Sequence, residues 1–250
     1  MPLALFALTI SAFAIGTTEF VIVGLVPTIA QQLAISLPSA GMLVSIYALG
    51  VAIGAPALTA LTGRLPRKQL LVALMVLFTA GNLLAWQAPG YMTLIVARLL
   101  TGLAHGVFFS IGSTIATSLV PKEKAASAIA IMFGGLTVAL VTGVPLGTFI
   151  GQHFGWRETF LAVSMLGVIA LISSQLLIPA NIPGRAAASI RDQVKVLTHP
   201  RLLLIYAVTA LGYGGVFTAF TFLAPMMQDL AGFSPAAVSW ILLGYGVSVA

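Results

Sequence analysis

Long apolar runs alternate with short polar breaks along almost the whole chain. A membrane-crossing helix needs about 20 mostly apolar residues. Eight stretches approach or exceed that length: 3–29, 39–62, 69–88, 92–118, 126–151, 158–179, 202–226 and 236–250. Lipid offers the backbone no hydrogen-bond partners, so each run is predicted to be a helix that satisfies its own polar groups. Several exceed one bilayer thickness and are expected to tilt or project. The predicted fold class is all-α, a polytopic transmembrane helical bundle. In the first run Ala12-Phe13-Ala14 has the form of a signal-peptide cleavage site. However, no Lys or Arg precedes it and the apolar run continues to Ile29, so the run reads as a mature helix.

Composition agrees with this pattern. Residues are 60% hydrophobic and 6% charged, against about 25% charged in soluble domains, too few to cover a water-facing surface. The net charge of +6 does not point to nucleic acid, because the basic residues cluster between apolar runs. Arg64, Arg67 and Lys68 follow the second run, Lys122 and Lys124 the fourth, and Arg185, Arg191, Lys195 and Arg201 the sixth. Nine of the eleven Lys and Arg thus fall on one side, leaving Arg157 opposite and Arg98 inside the fourth run. The positive-inside rule makes that side, and the N-terminus with it, cytoplasmic. There is no cysteine, and the three histidines show no ligand spacing, so no metal site and no bound cofactor are expected. In the connection 181–201, Ile190, Val194 and Leu197 recur at helical spacing, with Arg191, Asp192 and Lys195 on other faces. This reads either as an amphipathic helix on the membrane surface or as a solvated linker helix.

An internal repeat organises the chain. Gln31-Gln32-Leu33-Ala34 and Pro38-Ser39-Ala40 match Gln228-Asp229-Leu230-Ala231 and Pro235-Ala236-Ala237 at a common offset of 197. The seventh run then corresponds to the first and the eighth to the second, as in transporters built from parallel six-helix repeats. The expected domains are a six-helix bundle over 1–180, a cytoplasmic central loop over 181–201 and the start of a second bundle over 202–250. Two such units imply about twelve spans in about 394 residues, so the chain is expected to be C-terminally incomplete.

Glu19 is the one acidic residue well inside a run. An ionised carboxylate there is costly and a protonated one far less so, which suits a group that takes up and releases protons. The competing reading is a structural glutamate bonded to a neighbouring helix. With the first run ending near residue 28 and the fourth starting near 92, Glu19 lies about 13 Å and Arg98 about 9 Å below the outer face. Arg98 is therefore a candidate partner for Glu19, or else a brace bonded to backbone carbonyls. His105, about 20 Å deep, is a candidate second proton relay or substrate contact, or a packing histidine between Gly102 and Gly106. Tyr47, Asn82 and Phe217 are candidate linings of a substrate cavity. Gly143, Gly147 and Gly151 recur every four residues as a strip for close packing, and Pro145 is expected to bend the fifth helix. Gly212, Gly214 and Gly215 suggest a broken or flexible seventh helix, with ordinary small-residue packing as the alternative. Trp86, Tyr91 and Trp156, at run ends, read as interfacial anchors.

Several of these residues form motifs that resemble those of the major facilitator superfamily. The stretch Thr59 to Lys68, with Gly63-Arg64-Leu65-Pro66-Arg67-Lys68, resembles its motif between the second and third helices; Thr59, Gly63 and Pro66 stand where the family has Gly, Asp and Gly. Arg98-x-x-x-Gly102 followed by His105-Gly106-Val107-Phe108-Phe109 resembles the fourth-helix arginine motif, and Gly143-Val144-Pro145-Leu146-Gly147 with Gly151 the fifth-helix antiporter motif. With Gly16-Thr17-Thr18-Glu19-Phe20 and Gly155-Trp156-Arg157, the set is most similar to the drug:proton antiporter group and its arabinose-efflux-permease-like branch. The resemblance implies alternating access by two six-helix halves around a central cavity. Arg64, Arg67 and Lys68 would act in gating, and the fifth-helix glycines would sit at the contact between halves. The expected function is a multi-pass inner (plasma) membrane transporter, working as a monomer. It would export a small organic solute, with the branch tilting towards sugars over drugs, against protons, with no cofactor beyond the proton gradient. An uptake symporter or uniporter of the same fold is the alternative. An intramembrane enzyme would need converging catalytic groups and a channel a ring of charges, and neither pattern is present.

Overall fold

A computed structural model describes residues 2–62, 65–182 and 198–249. The first span is α1 (Leu3–Phe20) and α2 (Ile22–Gln32), joined at Val21. There follow α3 (Leu37–Thr62), α4 (Arg67–Trp86) and α5 (Tyr91–Ser118). The fifth span is α6 (Ala125–Val138), a π turn over Ala139–Gly143, and α7 (Val144–Phe154). Then come α8 (Trp156–Leu177) and α9 (Pro200–Thr221), a short turn over Leu223–Pro225 with a π turn over Met226–Leu230, and α10 (Pro235–Val249). Among the described residues seven helices are long and apolar enough to cross a membrane, and α2 and α10 are shorter apolar helices. The bundle has a basic end, carrying Arg67, Lys68, Lys122, Lys124 and Arg201, and a far end, where 33–36, 87–90 and 231–234 turn the chain back.

Two apolar cores fill the bundle, one in each half of its height. The core nearer the basic end includes Leu8, Ile15, Leu74, Phe78, Ala104, Phe108 and Met132. The other includes Val21, Leu25, Leu43, Ala85, Ala97, Trp156 and Phe160. The same helices pass from one core to the other at Ile15 to Val21, Phe78 to Ala85 and Ala97 to Ala104. In that interval lie buried Thr17, Thr18, Thr79, Asn82, Arg98 and Thr101. A polar layer therefore crosses the bundle near mid-height.

Apolar side chains gain little from leaving lipid for one another, so helix association here depends on close packing and interhelical bonds. The most extensive contact between described helices is between α3 and α5. A Cβ on Gly50 would lie 2.6 Å from the Leu99 carbonyl oxygen, and one on Gly54 2.7 Å from that of Leu103. Gly102 and Gly106 press reciprocally against the carbonyls of Tyr47 and Val51. No larger residue fits this seam, and it fixes the relative height of α3 and α5.

Three expectations are corrected. The seventh helix is not broken at Gly212, Gly214 and Gly215; α9 runs through them with intact helical geometry and gives way only at Phe222. Glycine permits a break without imposing one, and its backbone bonds remain the only partners available in lipid. Trp156 is not an interfacial anchor, being fully buried in the far core with Phe160 packed edge-on at 6.0 Å. Its neighbour Arg157 stacks on the indole at 4.3 Å and donates from Nε and Nη2 to the Ala88 carbonyl (3.2 and 2.8 Å), so this pair ties α8 to the end of α4. The first span extends to Gln32, past the expected end near 29, because Pro27 is accommodated inside α2. Gly63, Arg64 and the segment carrying Ile190, Arg191, Asp192, Val194, Lys195 and Leu197 lie outside the described residues.

Candidate functional site

The polar layer is assembled from one turn each of α1, α3, α4 and α5. Arg98 on α5 is buried, and its Nη1 donates to the Thr18 carbonyl at 2.8 Å. Its Nε reaches the Leu43 carbonyl at 3.4 Å, and the guanidinium lies 4.1 Å above the Tyr47 ring. The Thr18 hydroxyl donates to Asn82 Oδ1 at 2.7 Å, while Asn82 Nδ2 donates to the Phe78 carbonyl at 2.9 Å. Thr18 is thus held through its carbonyl by α5 and through its hydroxyl by α4. The next residue along α1 is Glu19, so these bonds set where its carboxyl points.

The carboxyl faces His105. Glu19 Oε2 and His105 Nδ1 are 3.7 Å apart, and the side chains retain 20% and 13% of their surface. The Tyr47 hydroxyl shares that nitrogen at 2.9 Å, in a hydrogen bond whose direction depends on the imidazole tautomer. The His105 ring also packs on Phe109 at 4.9 Å, and Phe109 on Phe133 at 4.9 Å. Carboxyl, imidazole and phenol thus form one cluster of exchangeable protons around His105 Nδ1, on a frame built by Arg98, Thr18 and Asn82.

This differs from the expected pairing of Glu19 with Arg98. Arg98 Nη1 and Nε donate to backbone carbonyls of α1 and α3, the brace alternative, while Nη2 is buried without a partner, and His105 is the group beside the carboxyl. The longer first span brings Glu19 level with His105, while Arg98 starts nearer the far end and still reaches the neighbouring Thr18 carbonyl. With the first span running to Gln32, Glu19 lies thirteen residues in, about 20 Å from the far end. His105, fourteen residues from Tyr91, lies about 21 Å in, and Arg98 only about 10 Å. Of the candidate cavity linings, Asn82 is fully buried with both ends of its amide engaged, and the Tyr47 hydroxyl is bonded to His105 Nδ1. Phe217 alone lines an open void, about 450 Å³ between α3 and α9, with Gly41, Met42, Ser45, Thr218 and Thr221. Thr18 escaped attention in the sequence, although it stands inside the Gly16–Phe20 stretch.

The fifth-span glycines face inward to their own half. Gly143 lies against Thr17, Gly147 against Val21 and Thr159, and Gly151 against Leu25 and Thr159. The Thr159 hydroxyl closes that contact by donating to the Gly147 carbonyl at 2.7 Å. The expectation that this strip seals the contact between halves is therefore corrected. That contact uses the other face, where α10 sets Gly246 against the Leu140 carbonyl and Ser239 donates to Gln152 Oε1 at 3.2 Å. Pro145 lines a void of about 470 Å³ on the same side, with Phe149, His153 and Trp240. The π turn just upstream of Pro145 accommodates its missing N–H. Arg67 and Lys68 open α4 at the basic end, half-buried, with Pro66 as N-cap. No group of three or more His, Cys, Asp or Glu able to hold a metal occurs among the described residues.

The sequence profile described as Major Facilitator Superfamily matches residues 8–250. An uncharacterized MFS-type transporter of Bacillus subtilis (strain 168), YtbD, is 53% identical over 247 residues, covering 99% of this chain and 62% of the relative. The inner membrane transport protein YdhP of Escherichia coli (strain K12) is 45% identical over 247 residues, covering 98% and 63%. A chloramphenicol resistance protein of Streptomyces lividans is 37% identical over 252 residues, covering 98% and 64%. This chain thus spans less than two thirds of the length of each. The fold matches that of a bacterial homolog of the human lysosomal transporter Spinster, solved inward-facing and unoccupied, with a TM-score of 0.73 at 20% identity over 97% of this chain and 58% of that one.

Proposed function

This chain belongs to the major facilitator superfamily, and on that premise we propose that it forms the proton-coupling half, and the start of the second half, of an exporter that exchanges a small organic solute for protons. The observation that carries the reading is the Glu19–His105–Tyr47 cluster, partly open and set in the polar layer between two apolar cores. An ionised carboxylate at that depth needs a partner, whereas a neutral one does not. Glu19 can therefore hold either a proton or a polar group of the solute, and exchange between the two couples their movements. Arg98, Thr18 and Asn82 act as positioning residues.

The polar inventory favours an amphipathic solute over a sugar. A sugar needs many unspent donors and acceptors, yet Asn82 is committed to the frame and Arg98 keeps only Nη2 unspent. Phe20, Phe109, Phe133 and Phe217 supply mostly ring surface around the open part of the site. The chloramphenicol resistance protein among the relatives supports the same class. The name of YdhP and the clustering of basic residues support an inner-membrane location with the basic end cytoplasmic.

The test uses the full-length protein in inverted vesicles with chloramphenicol as the probe. Acidifying the lumen should drive accumulation of the probe and dissipate the proton gradient. Glu19→Gln should remove both effects while membrane insertion is unchanged. Full pH-driven accumulation by that variant would reject the coupling role.

A further inference from the structure

Four aromatic rings close together directly beyond Glu19 on its far-end side. Phe20 stacks on Phe217 of α9, ring centroids 6.1 Å apart and planes inclined by 30°. Phe220 stands edge-on to both, at 6.4 Å from Phe20 and 6.3 Å from Phe217. Tyr245 of α10 stacks on the outer face of Phe220 at 4.9 Å. One ring comes from the first half and three from the second.

The pair Phe20–Phe217 has a second property. Its members are separated by 197 positions, the offset that relates Pro38 to Pro235 and Gln31 to Gln228. Parallel repeats are related by an approximate two-fold axis along the membrane normal. Equivalent positions on two such halves approach one another only close to that axis, and the axis runs down the space between the halves. A contact between equivalent rings therefore places them on the central path rather than on its wall.

The surroundings agree. No residue from 200 to 219 of α9 is buried, whereas Phe220, Thr221, Ala224 and Pro225 are. The seventh span thus seats on the first half only near the far end. Its buried contacts with the first half lie at the level of the rings. The helix that carries Phe217 gives way just past it at Phe222 (φ −102°, ψ 13°), while the first span keeps helical angles through Val21 (φ −59°, ψ −28°). The segment beyond Phe222 can swing without melting α9.

We infer that Phe20, Phe217, Phe220 and Tyr245 form the far-end barrier of the transport path, a plug of rings on the two-fold axis that must part for the solute to leave. Apolar rings suit this task because they seal against water and protons without binding the solute's polar groups. The inference rests on alternating access in the proposed exporter, and not on Glu19 being the coupling group.

The experiment places one thiol below the plug. The 250 residues contain no cysteine, so Glu19→Cys introduces a unique target within them in the full-length protein. The probe is a charged, membrane-impermeant methanethiosulfonate, applied to inverted and to right-side-out vesicles. Labelling from the basic side should be fast and insensitive to the rings, which also reports correct folding. Labelling from the far side should be slow, and should rise about two- to tenfold in Phe20→Ala/Phe217→Ala, the factor expected for loss of one aromatic pair. Phe20→Tyr/Phe217→Tyr, which keeps the rings, should label as slowly as the parent. If the alanine pair loses basic-side labelling, Phe20→Leu/Phe217→Leu is read in its place. Far-side labelling of the ring-less variants at the parental rate overturns the inference. No substrate or proton gradient enters the assay, so a failed Glu19→Gln test would leave this result standing, and the reverse.

Discussion

Gly50→Ala is the smallest change that should disable the site without touching it. The added Cβ would stand 2.6 Å from the Leu99 carbonyl oxygen, 0.8 Å short of the 3.4 Å at which ordinary contact begins. Backbone lies on the other side of the contact, with Gly102 Cα and Leu103 N both at 3.1 Å, so no side chain can rotate away. The helices α3 and α5 must part, and overpacking of this kind costs about 1–3 kcal/mol. Tyr47 sits one turn before Gly50 and His105 one turn after Gly102. A separation of that size stretches their 2.9 Å hydrogen bond beyond useful length, with a further loss of about 1 kcal/mol. The sum, on the order of 2–4 kcal/mol, should appear as a lowered thermal midpoint of the detergent-purified full-length protein. Gradient-driven flux should fall with it. Gly134→Ala is the matched control: nothing lies within 4 Å of its added Cβ, so its effect should stay within about 1 kcal/mol, in the stabilising direction set by helix propensity. If Gly50→Ala keeps both the parental midpoint and the parental flux, the α3–α5 seam does not hold the site.

Asn82→Leu should lower stability by about 1–3 kcal/mol, since it strands the Thr18 hydroxyl without its acceptor. The rank order of transported solutes should not change; an altered preference in a competition assay would return Asn82 to the cavity wall. Trp156→Phe should be tolerated to within about 1 kcal/mol, because the indole N–H makes no hydrogen bond to protein, whereas Trp156→Ala should cost about 3–5 kcal/mol as a core truncation. Equal and small losses for the two in thermal unfolding would favour the interfacial anchor that the sequence suggested.

The spans were legible because lipid imposes a length and a polarity that no short motif can imitate. Helix contacts were less so, since a helix that is apolar all round does not announce which side faces protein. Gly50, Gly54, Gly102 and Gly106 are all visible in the sequence, yet only their interlocking with the carbonyls of the opposite helix distinguishes them from Gly212, Gly214 and Gly215, around which nothing packs. Trp156 was misplaced for a related reason. Position near a span end is a statement about depth, and burial at that depth depends on Phe160 and the far core, which come together only in three dimensions.

Depth reckoning also decided the site. At 1.5 Å per residue, moving the end of the first span from residue 28 to Gln32 lowers Glu19 by about 6 Å, which brings it level with His105, although Arg98 still reaches the adjoining Thr18 carbonyl. Identifying the titratable groups needed only composition, but pairing them needed a helix end known to within a turn. The repeat sharpens the division of labour that follows on the proposed reading. Phe20 has an aromatic equivalent in Phe217, whereas the position equivalent to Glu19 is Val216. Duplication preserved the ring that meets its own copy on the axis, where both halves must close on one path. The carboxyl, whose partners Tyr47 and His105 lie on α3 and α5 of the first half, has no copy. Coupling can therefore reside in one half while closure at the far end is shared by both. Substitutions at Glu19 and at Phe20, adjacent in the chain, should accordingly fail in different assays: one in exchange with protons, the other in the seal.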